Sequence, residues 1–559
     1  LGNDEKAAAA FETAEALSPG LTPPAEKAME AVFENGAYVL KPENAQSPGP
    51  ALTKARELAR EGKLAEAATT LENILTKPDA RHLEALVTLA RIQRRAGRHE
   101  DALASLTSAG NLCATHEQLK TQKGQIEAGK ARSLYDLGRR DEAAALWQTL
   151  ADQPSSVGAS LDVKNLVKAA ASEPTGKPVE FEVPTPKAKD RLKAGVAAIL
   201  RFHQLEEAAT KLEGLELREA GMVGGDLNGM LDEILPDDLA YRWFSGEEST
   251  LAALMEEKLP ALLTYYALIP GEGYRGTAAI VHGFDPGIRS FHLNDSRWLD
   301  TTDRMTSDRA AECRALVIAP AAFFEKTKIL FPDQAFWQNY NRAERLAAEN
   351  RFEDTYKELK VALSIKPDSF LTHLFLSAAA KRIGKDNEAY SAAAEATRLS
   401  RFDARPASTL GSFHGRRKKI EEAQKSFEAA LAIEPAFTEP REFLARTLIT
   451  RRDLEKGLAE ADQLRHRFPN RPTGHYLRGS ILSGQGNYAE AEHCLTVAAQ
   501  LGTRASILDN LATVQVNLNK LPQAIQTLKR LYAIAEPEAA RKVIEAKITL
   551  LRRRAEEVR

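Results

Sequence analysis

The side chains that could perform covalent chemistry are few in this chain. The cysteines are Cys113, Cys313 and Cys494. They are far apart, and no CxxC or Cys/His cluster accompanies them, so neither a disulfide framework nor a zinc site is expected. Thiolate catalysis needs an imidazole within hydrogen-bond reach. Cys313 follows a predicted helix that leads into a strand, a position that would not direct its thiol into a cleft.

Two histidines and one aspartate form the other candidate group. His282, His292 and Asp295 fall within GTAAIVHGFDPGIRSFHLNDS, which predicts a β-hairpin with a tight turn at Asp285-Pro286-Gly287. A metal site or a rearranged hydrolase site using Asp295 with either histidine is conceivable. Their spacing matches no established metal signature, so two structural or surface histidines are expected, with no metal and no cofactor.

Length and composition limit the remaining classes of function. The chain has 559 residues, 43% hydrophobic and 28% charged, and a net charge of −2. That length predicts several domains or a repeat array, and the charge balance does not favour a nucleic-acid partner. The chain contains no apolar run of the length needed to span a membrane. It begins at Leu1 rather than Met, which a removed leader or a fragment would explain, so bacterial cytoplasm and periplasm both remain open.

Internal repeats determine the predicted architecture. Prolines at positions 367, 435, 469 and 537 are separated by multiples of 34 residues. The segment ASTLGSFHGRRKKIEEAQKSFEAALAIEP has small residues at Gly411, Ala423 and Ala430 and a large one at Phe427. Small residues let two antiparallel helices approach closely, and the proline ends the second helix. The pattern resembles the tetratricopeptide repeat (TPR), which implies stacking into a right-handed solenoid.

The repeat register and the composition predict a division of the whole chain. The predicted segments are N-terminal helices with a Pro-rich linker (1–50), a TPR-like array (51–172), a linker (173–190), an α+β domain (191–333), an array of about six repeats (334–538) and a polar capping helix (539–559). The α+β prediction rests on helices over 191–212, 224–236 and 246–260, followed by several strands that include ALLTYYALI and ALVIAPAAFF.

The order of elements in this middle region resembles papain-like cysteine peptidases of the bacteriocin-processing, double-glycine leader type. The resemblance covers about 190–325 and rests on AAILRFHQL, KLPALLTYY, a strand entering Gly-Phe-Asp and a strand ending in Asn-Asp. In that family a cysteine opens the first helix, at the position of Arg191 here. The catalytic histidine corresponds to Thr277, and only the aspartate, Asp295, is retained. The resemblance therefore implies a mostly α protein in which two TPR-type solenoid arrays flank an inactive papain-like domain.

These patterns favour a non-enzymatic scaffold that binds a protein or peptide partner; a bacterial assembly or secretion factor with a purely structural central domain is the other non-enzymatic reading. The TPR resemblance implies a groove lined by positions 2, 5, 6, 9, 12 and 13 of each repeat. The groove candidates are Arg405, Thr409, Ser412, Arg416, Glu439, Glu442, Arg446, Tyr476 and Ser480. The candidates for an aromatic peptide-binding cleft in the middle region are Trp243, Tyr265, Tyr266, Tyr274 and Trp298.

Overall fold

The computed structural model describes most of the chain. The described ranges are 29–34, 37–42, 47–152, 166–167, 178–184, 191–214, 227–269, 273–295, 304–435, 437–536 and 538–557. They form two compact units, one made of Pro48–Pro440 and one that combines Leu1–Ser47 with Arg441–Arg559. The sequence predicts one uninterrupted array over 334–538, whereas the two units divide that stretch after Pro440.

The Pro48–Pro440 unit begins with three antiparallel helix pairs. They are α1 (Pro48–Arg60) with α2 (Leu64–Glu72), α3 (Leu83–Arg95) with α4 (His99–Thr115), and α5 (Lys123–Asp136) with α6 (Arg140–Asp152). Each second helix buries an alanine and, four residues later, a large apolar residue, as in Ala143 and Trp147 of α6. The small residue allows close approach of the paired helix while the large one fills the layer between neighbours.

The middle region is a sheet with short helices. The strands are β3 (Val179–Glu180), β4 (Leu239–Ser245), β5 (Ala261–Ile269), β6 (Gly273–Asp285), β7 (Ser290–Asp295), β8 (Arg304–Thr306) and β9 (Arg314–Pro320). The helices are α7 (Arg191–Phe202), α8 (Glu206–Gly214), α9 (Leu227–Ile234), α10 (Glu248–Glu256), α11 (Ser307–Ala311) and α12 (Ala321–Lys326). The antiparallel strand order is β4-β9-β5-β6-β7-β8, and β3 pairs with β6.

Both faces of this sheet are covered, as the alternation of side chains along each strand requires. Leu262 and Ile280 lie on the face that packs against α7, and Leu263 and Val281 lie on the face that packs against α10 and α12. Helix α7 approaches β5 so closely that a Cβ atom added at Gly195 would lie 2.3 Å from the Leu262 side chain. A glycine is therefore required at that crossing.

Three further helix pairs complete the Pro48–Pro440 unit or begin at its end. They are α13 (Gln334–Ala348) with α14 (Phe352–Ile365), α15 (Phe370–Arg382) with α16 (Asp386–Leu399), and α17 (Arg405–Arg416) with α18 (Ile420–Ile433). Their close packing follows from small residues: a Cβ atom at Gly411 would lie 2.6 Å from the Phe427 ring. The α7-facing side of the sheet shares one continuous hydrophobic core with α13–α17.

The other unit consists of helix pairs and a β-hairpin. Its helices are α19 (Thr438–Thr450, which starts just before the division), α20 (Leu454–Arg467), α21 (Pro472–Gly484), α22 (Tyr488–Leu501), α23 (Ala505–Asn517), α24 (Leu521–Ile534) and α25 (Glu538–Glu557). The hairpin strands are β1 (Met29–Glu34) and β2 (Ala37–Pro42), which pair antiparallel.

Tyr38 of the hairpin anchors it to the repeats of the same unit. This residue is 3% exposed. Its hydroxyl hydrogen-bonds to His466 Nδ1 at 2.9 Å, and His493 Nε2 donates to its carbonyl oxygen at 2.7 Å. The His475 ring contacts the Tyr38 ring edge to face, with centroids 5.1 Å apart. The hairpin is thus held by α20, α21 and α22 through one buried tyrosine.

Several expected elements differ in the structure. The prediction of helices before residue 50 is wrong for 29–42, which form the hairpin. The single helix expected over 191–212 is two helices, because the chain turns at Gln204 with a φ of 63°. The expected linker over 173–190 contributes a strand, β3, to the sheet. ALVIAPAAFF leaves the sheet after Pro320 and forms α12, while β4 was not predicted.

The last helix also differs from its expectation as a polar cap. Helix α25 buries Ile544, Ile548 and Leu551 against the array, but Val543 is 58% and Leu550 is 66% exposed. Its outer face therefore carries apolar side chains as well as charged ones.

Candidate functional site

The polar groove candidates after Arg441 lie together on successive first helices. Glu442 and Arg446 are one turn apart on α19, and Tyr476 and Ser480 are one turn apart on α21. Residues four apart on a helix share a face. Asn510 on α23 continues the row, and we refer to Glu442, Arg446, Tyr476, Ser480 and Asn510 as the first-helix row.

Side-chain contacts connect this row across three helices. Arg446 Nη2 lies 2.9 Å from Glu442 Oε1, and its guanidinium lies 5.9 Å from the centre of the Tyr476 ring. Asn510 Nδ2 donates to Ser480 Oγ at 3.0 Å and approaches Tyr476 Oη at 3.5 Å. An aromatic ring flanked by an ion pair and an amide offers both apolar contact and hydrogen bonds, a combination typical of peptide-binding surfaces.

Two residues beside this row were not among the candidates. Phe443 is 37% exposed on α19, and Asn510 takes part in the contacts above. Both occupy position 6 of their repeats, which the family pattern already assigns to the groove. The repeat register could therefore have identified them.

The remaining groove candidates lie in the other compact unit, where their surroundings differ. Arg405 stacks on the ring of Tyr266 of β5, with its guanidinium carbon 3.5 Å from the ring centre, and also pairs with Asp403. Its side chain is 15% exposed. Thr409 and Ser412 are half-buried, whereas Arg416 and Glu439 are exposed. The prediction of Arg405 as a free partner-binding residue is wrong, because the protein's own sheet occupies it.

A buried ion pair makes the same point at the first repeat of that unit. Arg314 of β9 donates through Nη1 to Glu344 Oε2 of α13 at 2.8 Å, and their side chains are 1% and 4% exposed. The Arg314 guanidinium also lies 3.7 Å from the centre of the Trp243 ring. Burial raises the pKa of the Glu344 carboxyl, while the neighbouring Arg314 charge opposes that rise. Glu344 occupies position 9 of its repeat, a groove position, so here the sheet lies against the groove.

The sheet region also contacts the helix pairs that precede it. Arg95 Nη2 of α3 donates to Asn294 Oδ1 of β7 at 2.9 Å. Ile288, in the turn between β6 and β7, is buried in one cluster with Tyr135 and Trp147 of the third pair. This region therefore packs against repeats on both sides of it in sequence.

The positions expected from peptidases are not assembled on one face. Thr277 pairs with Tyr265, and Asp295 pairs with Ala279. Tyr265 and Ala279 belong to the face that packs against α10, whereas helix α7, which begins at Arg191, packs on the other face. The Thr277 side chain is buried, and its hydroxyl has no hydrogen-bond partner among the described residues.

The expected aromatic cleft is also wrong where it can be assessed. Trp243 is buried on the α7-facing side, Tyr265 is buried on the opposite side, and Tyr266 packs against Arg405. The side chains of Tyr274 and Trp298 lie outside the described part of the structure. Trp243 and Tyr265 cannot line one cleft, because the sheet separates them.

The two hairpin histidines hold strand β3. His292 Nδ1 lies 3.2 Å from Glu180 Oε2, and His282 Nδ1 lies 3.1 Å from the carbonyl oxygen of Phe181. Burial lowers the pKa of His282. Within the described ranges, no group of three or more His, Cys, Asp or Glu residues could hold a metal ion. The Asp295 side chain lies outside the described part.

The three thiols are buried in hydrophobic cores. Cys313 Sγ contacts Met305 Sδ at 3.8 Å and donates to the Arg309 carbonyl oxygen at 3.3 Å. Burial raises the pKa of Cys113 to about 11 and also raises that of Cys494. These environments disfavour the thiolate, which is the nucleophilic form.

Comparison with known proteins identifies the helix pairs. Models of the tetratricopeptide repeat family match residues 52–110, 127–149 and 416–481. The chain contains tetratricopeptide repeats. No curated protein sequence matches it. Along the described helices, none combines the length and apolar composition needed to cross a bilayer.

Similar solved structures are themselves repeat proteins. One is a TPR protein from Parabacteroides merdae ATCC 43184, at 16% identity, covering 40% of this chain and 89% of that one with a TM-score of 0.35. Another is PilF of Pseudomonas aeruginosa, at 20% identity, covering 38% and 98% with a TM-score of 0.32. A third is YrrB, described as a TPR protein with an unusual peptide-binding site, at 17% identity, covering 34% and 95% with a TM-score of 0.29.

Proposed function

We propose that this protein is a non-enzymatic scaffold that binds a protein or peptide partner through the first-helix row of the repeats after Arg441. The observation that carries this proposal is a contrast between groove positions. Glu344 and Arg405 are engaged by the sheet region, whereas Arg446 is exposed and Tyr476 and Ser480 are half-buried. Residues of the second kind can reach a partner without any rearrangement of the fold.

The central α+β region, in this proposal, is structural. Its buried ion pair, its stacking on Arg405 and its contacts with the preceding helix pairs support a role in fixing the repeats around it. This agrees with the idea of a scaffold whose central domain carries no chemistry of its own.

A peptidase-like origin of that region is the finer part of the proposal. A helix packed on an antiparallel sheet agrees with it, and the Cys and His positions are occupied by Arg191 and Thr277. Because Thr277 lies on the face away from α7, we propose a domain that neither cuts nor grips a peptide. Its buried thiols favour the same conclusion over a hydrolase with a rearranged site.

Alanine and glutamine substitutions in the first-helix row test the binding proposal. The intact chain and its Tyr476→Ala/Arg446→Gln variant would be used to capture partners from the source organism, with quantitative mass spectrometry. We expect the variant to lose at least tenfold of the specific partner, since a buried aromatic anchor and an arginine dominate such interfaces. Ala489→Gln, on an exposed position of α22, serves as the control and should retain it. Equal recovery by all three proteins would contradict the proposal.

A further inference from the structure

The unit formed by Pro48–Pro440 contains a second candidate binding site, a cleft of about 720 Å³ between α9, β4 and α13. Clefts of this size suit a ligand of several residues or a small molecule. Helix α13 lines it with Gln334, Trp337, Asn341 and Arg345, which are spaced three or four residues apart and so share one face. The cleft is separate from the first-helix row.

The hydrogen bonds already made in this cleft leave donors available. Asn228 Oδ1 accepts from Trp243 Nε1 at 2.7 Å, and Asn341 Oδ1 accepts from Arg314 Nη2. The amide NH₂ groups of both asparagines therefore remain as donors. The indole N–H of Trp337 is a third donor: it is buried, and it has no partner among the described residues. A buried, unpaired N–H is costly in a folded protein, so it points to a missing acceptor.

The charges that line the cleft have the same polarity. Its arginines are Arg242, Arg342 and Arg345, and its carboxylates are Asp232 and Asp237. Three cations therefore face two anions, and both Arg342 and Arg345 are exposed on the rim.

Neighbouring contacts account for part of this charge. Asp232 already accepts a hydrogen bond from Tyr241 Oη at 2.9 Å, and Arg342 Nε lies 3.3 Å from Glu358 Oε1. Arg345 has no ion-pair partner in the part of the chain that the structure describes. The groups left to meet a ligand are mainly donors and cations.

We propose that this cleft binds an acidic peptide segment. Its carboxylates would pair with Arg342 and Arg345 on the rim, and its main-chain carbonyl groups would accept hydrogen bonds from Trp337 and from the two asparagine amides. Such a ligand supplies acceptors and negative charge, which are what the cleft lacks. Because the site lies on different residues from the first-helix row, it would give the scaffold a second point of attachment.

Fluorescence anisotropy with the full chain tests this assignment. The probe is fluorescein-labelled hexaglutamate with a blocked carboxyl end, and hexalysine of the same length is the opposite-charge control. We expect saturable binding of hexaglutamate, weakened by salt, and none of hexalysine. Glutarate, a free dicarboxylate, should compete only at far higher concentration. Competition at the same concentration as the peptide would overturn the assignment to a peptide.

Substitutions locate the binding within the chain. Arg342→Gln/Arg345→Gln should weaken hexaglutamate binding at least tenfold, since two charge-assisted contacts are removed. Arg398→Gln, an exposed arginine on α16, should change the affinity less than twofold. Equal affinities for the double variant and the parent chain, or equal losses with Arg398→Gln, would overturn the proposal.

A conservative substitution tests the buried donor separately. Trp337→Phe keeps an aromatic ring but removes the N–H, so we expect about a two- to tenfold loss of affinity. Urea unfolding of the same sample shows whether the fold is intact. An intact variant with unchanged affinity would contradict the role of Trp337 as a ligand donor.

Discussion

Removal of one member of the Arg314–Glu344 pair should destabilise the contact between the sheet region and the first repeat after it. Glu344→Leu leaves a guanidinium that is 1% exposed and cannot lose its proton. We expect a loss of about 3–5 kcal/mol in the free energy of unfolding of this unit. Arg314→Met should cost less, because Glu344 can take up a proton, although contact of the guanidinium with Trp243 is also lost. The double variant should lie within about 2 kcal/mol of the parent chain, since two apolar side chains replace a buried pair.

The two single variants should also differ in their dependence on pH. Burial already raises the pKa of Glu344 above 4.5, and the loss of Arg314 removes the charge that opposes this rise. A carboxyl whose folded-state pKa is raised stabilises the fold at low pH, and that stability is lost as pH rises through the folded-state pKa. Arg314→Met should therefore regain stability on acidification below pH 7, by up to about 1.4 kcal/mol per pH unit. Glu344→Leu should show no such gain.

Urea unfolding followed by tryptophan fluorescence measures these effects, because the Trp243 ring lies 3.7 Å from the Arg314 guanidinium. Hydrogen exchange of peptides from β9 and α13, detected by mass spectrometry, assigns the change to this contact. Additive losses in the double variant would refute the reasoning, as would a Glu344→Leu variant as stable as the parent.

Two further predictions concern the repeats. Burial lowers the pKa of His475 to about 4, so its contribution to stability is complete above pH 6.5 and is lost as pH falls; the urea midpoint of the hairpin-bearing unit should reflect a loss of about 2 kcal/mol at pH 5, and His475→Gln should weaken that dependence. Gly411→Ala places a Cβ atom 2.6 Å from the Phe427 ring and should cost about 1–3 kcal/mol in thermal or urea unfolding. Gly415→Ala, with no atom within 4 Å of the added Cβ, should be neutral or stabilising by up to about 1 kcal/mol; equal losses at both glycines would contradict the packing argument.

The repeats could be predicted from the sequence because their determinants are local. The spacing of prolines and of small residues such as Gly411 and Gly479 reports the contact between two helices that are adjacent in the chain. A Cβ atom at Gly479 would lie 2.7 Å from Leu495, as the repeat pattern implies. The same register identifies which side of each first helix faces the groove.

The N-terminal hairpin was missed although a local signal exists. Asn35-Gly36 lies between MEAVFE and AYVLKP, and an Asn-Gly pair between alternating apolar residues is typical of a hairpin. The surrounding Ala- and Pro-rich composition favoured helices instead. Composition was here a poorer guide than a two-residue turn signal.

Occupation of the groove by the sheet could not be predicted from local patterns. Arg405 contacts Tyr266, and Glu344 contacts Arg314, across long separations in sequence. Arg405 follows the same repeat register as Arg446, and only the tertiary packing distinguishes them. Likewise, the alternation along β6 gives two faces but does not say which face α7 covers, so the position of Thr277 could not be assigned.

Site-specific photo-crosslinking tests the central claim most directly. p-Benzoylphenylalanine would be placed at Ser480 in the first-helix row and, as a control, at Ala489 on a second helix of the same repeat, and the intact chain irradiated in extract from the source organism. The account predicts one partner protein crosslinked from Ser480 and not from Ala489, with the crosslink lost in Tyr476→Ala. Crosslinking of the same partner from Ala489 alone, or equally from both positions, would contradict it.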